Sequence, residues 1–178
     1  MEKILILVSA LVLIFLLGAD EMFDSKMNEI AEKYLYIQEM LSLDRTDEIT
    51  QKAAEIADLA KDLDVSNVPE EHKMHFANLP EKIGINAQKI SKAETIDGMR
   101  AAFKELSKPM AMWASMMQPM GMNVAFCSMA PGSWLQRGDE IMNPYYGDKM
   151  LHCGEIVSEG KEMESESENK MHHGMEHK

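Results

Sequence analysis

The chain has 178 residues, and its 30 acidic against 18 basic side chains give a formal charge of -12. That length holds one domain of ordinary size, with enough chain to bury a core without staples. The charge excludes nucleic acid as a partner, because phosphate binding needs clustered Lys and Arg, and only two cysteines exclude a disulfide-dense scaffold.

Residues 1–19 read as a signal peptide or signal anchor. Lys3 precedes an apolar run from Ile4 to Leu17, which has the length of an h-region and is short for a membrane span. Gly18-Ala19 then supplies small residues before Asp20-Glu21, although Leu17 stands where a cleavage site prefers a small residue. The run has no polar face, which disfavours a buried helix of a soluble core. The expected location is periplasmic or otherwise extracytoplasmic, with residues 4–17 the only membrane contact if the leader is kept. Thiols in such a compartment oxidise unless protected.

Residues 20–158 read as one helical unit. Phe23, Met27, Ile30, Tyr34, Ile37 and Leu41 recur at spacings of four and three, the stripe of an amphipathic helix. A second helix carries Ile49, Ala53, Ile56, Ala60 and Leu63. A third stretch over 70–92 carries Phe76, Leu79, Ile83, Ala87 and Ile90, with Pro80 and Gly84 expected to kink or divide it. Thr95 is placed to cap a fourth helix through Ile96, Met99, Phe103, Leu106, Met110, Trp113 and Met117, with Pro109 a candidate kink. These elements predict an all-α, up-and-down four-helix bundle. Residues 120–157 follow as a loop in which short strands are allowed. Residues 159–178 are acidic and His/Met-rich with no large aliphatics, and are expected to be disordered.

The chemistry gathers in that loop. Cys127 has Met129 two residues on, and Cys153 has His152 beside it and Met150 three residues back. Thiolate, thioether and imidazole are the ligands of soft ions such as Cu(I) or Ag(I). Pro131, Gly132, Gly138, Asn143, Pro144 and Gly147 fold the loop back so that the two sulfurs can meet. Two readings stay open: a metal site of Cys127, Met129, Met150, His152 and Cys153, or a structural disulfide between the cysteines. The 18 methionines are unusually many, and Met is both an adaptable core residue and a soft ligand. Met120 and Met122 are candidates for a secondary metal site, against ordinary packing. The tail's His172, His173, Met175 and His177 are candidates for loose metal capture, against a purification tag. His72 and His75 read as solvent-exposed. No Ser-His-Asp context, H-E-x-x-H or C-x-x-C is present, so the chain reads as no enzyme.

A set of local motifs carries a family resemblance: Ala102-Phe103-Lys104-Glu105-Leu106-Ser107, Cys127-Ser128-Met129-Ala130, Trp134-Leu135-Gln136, Asn143-Pro144-Tyr145-Tyr146-Gly147, Met150 and Cys153-Gly154-Glu155. The chain resembles, over about residues 25–157, the domain of unknown function associated with CusB-type periplasmic adaptors of copper and silver efflux systems. It departs at Ser128, where that family usually has Pro. The resemblance implies a helical periplasmic domain linked to heavy-metal handling, with an efflux adaptor or copper-transfer protein as partner. The resulting expectation is an exported protein that binds Cu(I) or Ag(I) and sequesters or transfers it, accessory to metal efflux and homeostasis. The alternative is a disulfide-stapled helical interaction module that docks on an envelope adaptor or other partner without metal.

Overall fold

A computed structural model describes residues 2–66 and 68–161, with side chains from Met22 onward. The candidate tail ligands His172, His173, Met175 and His177 lie outside the described residues. The expected first stripe is one face of α1 (Glu2–Ser42), and Phe23, Met27, Ile30, Tyr34, Ile37 and Leu41 are all buried. Among the described residues no helix is long and apolar enough to cross a membrane. Asp44 and Glu48 take left-handed backbone conformations in the link to α2 (Ile49–Lys61).

The stretch expected over 70–92 is two helices, α3 (Glu70–Phe76) and α4 (Leu79–Ser91). The break falls at Ala77-Asn78 rather than at Pro80. Pro80 occupies the first turn of α4, where its missing N–H costs nothing. Helix α5 (Ile96–Met117) starts where expected, with the Gly98 N–H donating to Thr95 Oγ1 at 3.1 Å. Pro109 does not divide α5. A proline there leaves the Glu105 carbonyl without its helical donor, and Asn86 of α4 reaches that carbonyl with Nδ2 at 3.4 Å.

The expected all-α class is corrected: the protein is mostly helical and also carries a small antiparallel sheet. Its strands are β1 (Asn123–Cys127), β2 (Gly132–Gln136) and β3 (Glu155–Ser158), in the order β2-β1-β3. Val124, Phe126, Trp134, Ile156 and Val157 supply the β-branched and aromatic residues that strands favour. A single turn of 3-10 helix, Gly147–Lys149, lies between β2 and β3. The register pairs Asn123 with Gln136 and Cys127 with Gly132 on one side, and Phe126 with Glu155 on the other.

Helix α2 packs on α1 and α4, and α4 packs on α5. Contact between α1 and α5 is slight, and β2 lies against both. The sheet therefore completes the core that the helices alone leave open. Tyr34 is the node of that join. Its hydroxyl pairs with Ser107 Oγ of α5 at 2.6 Å and accepts the Leu135 N–H of β2 at 3.3 Å, while its ring stacks on Phe103 at 4.6 Å.

Candidate metal centre

The loop that carries the cysteines is held by side chains of its own and by a clamp from the helices. Trp134 is fully buried, with Tyr145 packed edge-on at 5.6 Å. Trp134 Nε1 donates to Gln136 Oε1 at 3.0 Å, and Gln136 Nε2 donates to the Glu140 carbonyl at 2.8 Å. Asn143 is also fully buried. Its Nδ2 donates to the Cys153 carbonyl at 2.9 Å and its Oδ1 accepts the Tyr145 N–H at 2.8 Å. These are the W-L-Q and N-P-Y-Y-G motifs acting as internal hydrogen-bond frames, which buried polar groups require.

The clamp is Arg100 with Asp44. Arg100 donates to the Pro144 carbonyl at 3.1 Å, to the Leu41 carbonyl at 2.7 Å and to Asp44 Oδ1 at 2.6 Å. Asp44 Oδ2 accepts the Asp148 N–H at 2.9 Å. Gly147 passes between them at φ 54, where a Cβ would come within 3.0 Å of both side chains. Only glycine fits that backbone and that gap.

This frame brings Cys127, at the end of β1, against Cys153, in the turn before β3. Their sulfurs stand 2.6 Å apart, and the Ala130 N–H donates to Cys127 Sγ at 3.3 Å. Burial pushes the Cys127 thiol up, but hydrogen bonds from Cys153, from the Ala130 and Met129 N–H groups and from Asn143 more than offset it, so the thiol lies below its ordinary range. Cys153 lies above its ordinary range, because it shares its proton with Cys127, is partly desolvated and faces the Cys127 charge. Of the two, the buried Cys127 sulfur is therefore the one that gives up its proton first, and the more accessible Cys153 keeps its proton longer. N–H groups aimed at a thiolate stabilise the charged form that binds metals.

The other predicted ligands divide. Met129 follows directly in the turn and its side chain is 72% exposed. Met150 is half-buried against the core, and its carbonyl accepts the Cys153 N–H at 3.0 Å. His152 is exposed, with Nδ1 at 3.0 Å from the Ile141 carbonyl. Among the described residues no three or more His, Cys, Asp or Glu side chains come together as a metal cluster, so His152 does not join the two thiols in this geometry. Met120 and Met122 lie at the opposite end of β1 and belong to a different place on the molecule. Sequence reasoning missed Asn143, Arg100 and Asp44. The N-P pair marked a turn, but nothing local announced that its asparagine would be buried.

Residues 30–120 match the model of a family described as proteins of unknown function, DUF3347. The match takes in half of the chain. The chain belongs to that family. The DUF3347 segment begins within α1 and ends just after α5, so it covers the helices and Arg100, while Cys127 and Cys153 lie beyond it. No curated protein and no solved structure matches the chain.

Proposed function

We propose that this DUF3347 protein is a carrier, not an enzyme, that binds one soft monovalent ion, Cu(I) or Ag(I), between Cys127 and Cys153 and sequesters it or hands it on. The observation that carries the reading is the contact of two sulfurs 26 residues apart, with the turn N–H groups facing Cys127. Thiolates select soft ions over the oxygen-seeking ones. An ion needs metal–sulfur distances of about 2.3 Å, so two thiolates on one ion stand up to ~4.6 Å apart. Cys153 is the partner with more room to adjust, since it is half-buried in the turn before Gly154 while Cys127 is fully buried at the end of a strand. Met129 or Met150 completes the coordination as a thioether.

The apolar leader-like run and the efflux-adaptor resemblance support a carrier that works outside the cytoplasm, in the service of metal efflux, with the adaptor or a copper-transfer protein receiving the ion. The short sulfur–sulfur distance also favours a second reading, in which a thiol–disulfide oxidant removes two electrons and two protons and the pair becomes a staple for an interaction module. The two readings separate in solution. Reduced protein is expected to bind one Cu(I) with an affinity that falls as pH drops from about 8 to about 6, because the Cys153 proton competes with the metal. Competition titration across that range, on reduced and on oxidised protein, checks this. A pH-independent affinity, or equal affinity in the two redox states, contradicts the dithiolate site.

A further inference from the structure

A second group of soft donors, without cysteine, lies at the other end of β1. Helix α5 ends at Met117, and the chain reverses through Gln118 at φ 47, then Pro119, Met120 and Gly121 at φ 67 before Met122 leads into β1. The reversal folds Met120 and Met122 back beside Met117, so that all three methionines line one hollow of about 580 Å³ with Trp113, Asp24 and Glu32. The three are held to different degrees: Met122 is 5% exposed, Met117 half-buried and Met120 59% exposed. Met122 is packed in the core, whereas Met120 stays accessible at the rim of the hollow.

The turn is tied down by the end of the sheet. Gly121 N–H donates to the Lys161 carbonyl at 3.0 Å, and Gly160 N–H donates to Asn123 Oδ1 at 3.1 Å. Gly160 lies so close to Pro119 and Met122 that a Cβ there would come within 3.0 Å of their backbones. The thioethers therefore sit on a braced turn. The hollow also opens at the C-terminus of a 22-residue helix, the end whose dipole favours a cation. Arg137 and Lys161 line it too, with the Arg137 charge met by Glu32 and Asp24 the second carboxylate of the lining. Trp113 forms a wall that is 1% exposed, and its Nε1–H has no hydrogen-bond partner. An indole face adds cation–π attraction.

We propose that Met117, Met120 and Met122 form a thioether site for a soft monocation, Ag(I) or Cu(I), walled by Trp113. Thioethers carry no proton to lose, so this site holds its ion at acidity that empties a dithiolate. It shares no ligand with the cysteine pair, and β1 keeps the two about 16 Å apart. Its failure and the failure of the dithiol reading are therefore independent.

The test uses full-length protein carrying Cys127→Ser and Cys153→Ser, titrated with Ag(I) at about pH 5, where imidazoles are mostly protonated. One equivalent is expected to bind, with a change in tryptophan emission. Adding Met117→Leu, Met120→Leu and Met122→Leu, which conserve volume and so keep the fold, is expected to weaken binding at least tenfold and to remove the emission change. Met120→Leu alone, at an exposed position with no part in packing, is expected to weaken it severalfold. Undiminished Ag(I) binding in the triple-Leu protein, or an unchanged affinity in Met120→Leu, overturns the site.

Discussion

Cys127→Ser and Cys153→Ser are each expected to lower Cu(I) affinity of the reduced protein by about a thousandfold, ~4 kcal/mol. Met150→Leu is expected to cost about tenfold, because thioether is the weaker donor and Met129 stands ready as an alternative. Competition titration of the four reduced proteins gives the affinities, and thermal melts of the same proteins, reduced and oxidised, give a second axis. A carrier whose bundle folds without metal should melt at much the same temperature in each reduced variant. The stapled-module reading expects the reverse. A disulfide closing this loop contributes about 3.5 kcal/mol in the chain-entropy account, so each Cys variant would melt roughly 10 °C below oxidised wild type, with no change in the Cu(I) affinity of the reduced protein.

Arg100→Met is expected to be the most damaging change outside the hydrophobic core. The Arg100 side chain is only 12% exposed and bonds two carbonyls as well as Asp44. Removing it strands the Leu41 carbonyl at the end of α1 and the Pro144 carbonyl in the loop, at a cost of about 3 kcal/mol, or a Tm lower by roughly 6–12 °C. The pH dependence identifies the cause. The Arg100 hydrogen bond, followed by the Asp148 N–H, holds the Asp44 carboxyl below the usual carboxylate range. A lowered folded-state value means that the stability is present above the unfolded pKa and is lost as pH falls through the folded one. The gap in Tm between wild type and Arg100→Met should therefore narrow below about pH 4. A gap that stays constant to lower pH assigns the loss to packing instead of to the clamp.

The helices were legible because their information is local. The stripes from Phe23 to Leu41 and from Ile96 to Trp113 state which face is buried, and Thr95 states where α5 begins. Pro80 misled in detail, since a proline kinks a helix interior but fits a first turn, and periodicity does not say which position it holds. The sheet was legible only as a folded-back loop. Its strands are four and five residues long, and β1 buries Val124 and Ala125 in succession, so the strict alternation that marks a half-buried strand is missing.

Of the candidate site, the ligand types were legible and the geometry was not. Cys127 and Cys153 stood out as the only thiols in a chain with soft neighbours. That their sulfurs meet depends on the Phe126–Glu155 pairing and on the Asn143 frame, both of which are long-range. The clamp is more remote still. Asp44 and Arg100 are 56 residues apart, and each looks in the sequence like an ordinary solvated charge. The Asp44 left-handed backbone and the Gly147 gap become meaningful only when the turn is seen passing between them.

The central claim is that two thiolates of this loop hold a soft ion. X-ray absorption at the copper edge of reduced, full-length protein loaded with less than one equivalent of Cu(I) tests it most directly. The account predicts a nearest shell of two or three sulfurs at about 2.3 Å, with at least one lost in Cys153→Ser. A nearest shell of nitrogen and oxygen alone, or a sulfur shell that Cys153→Ser leaves unchanged, would contradict it.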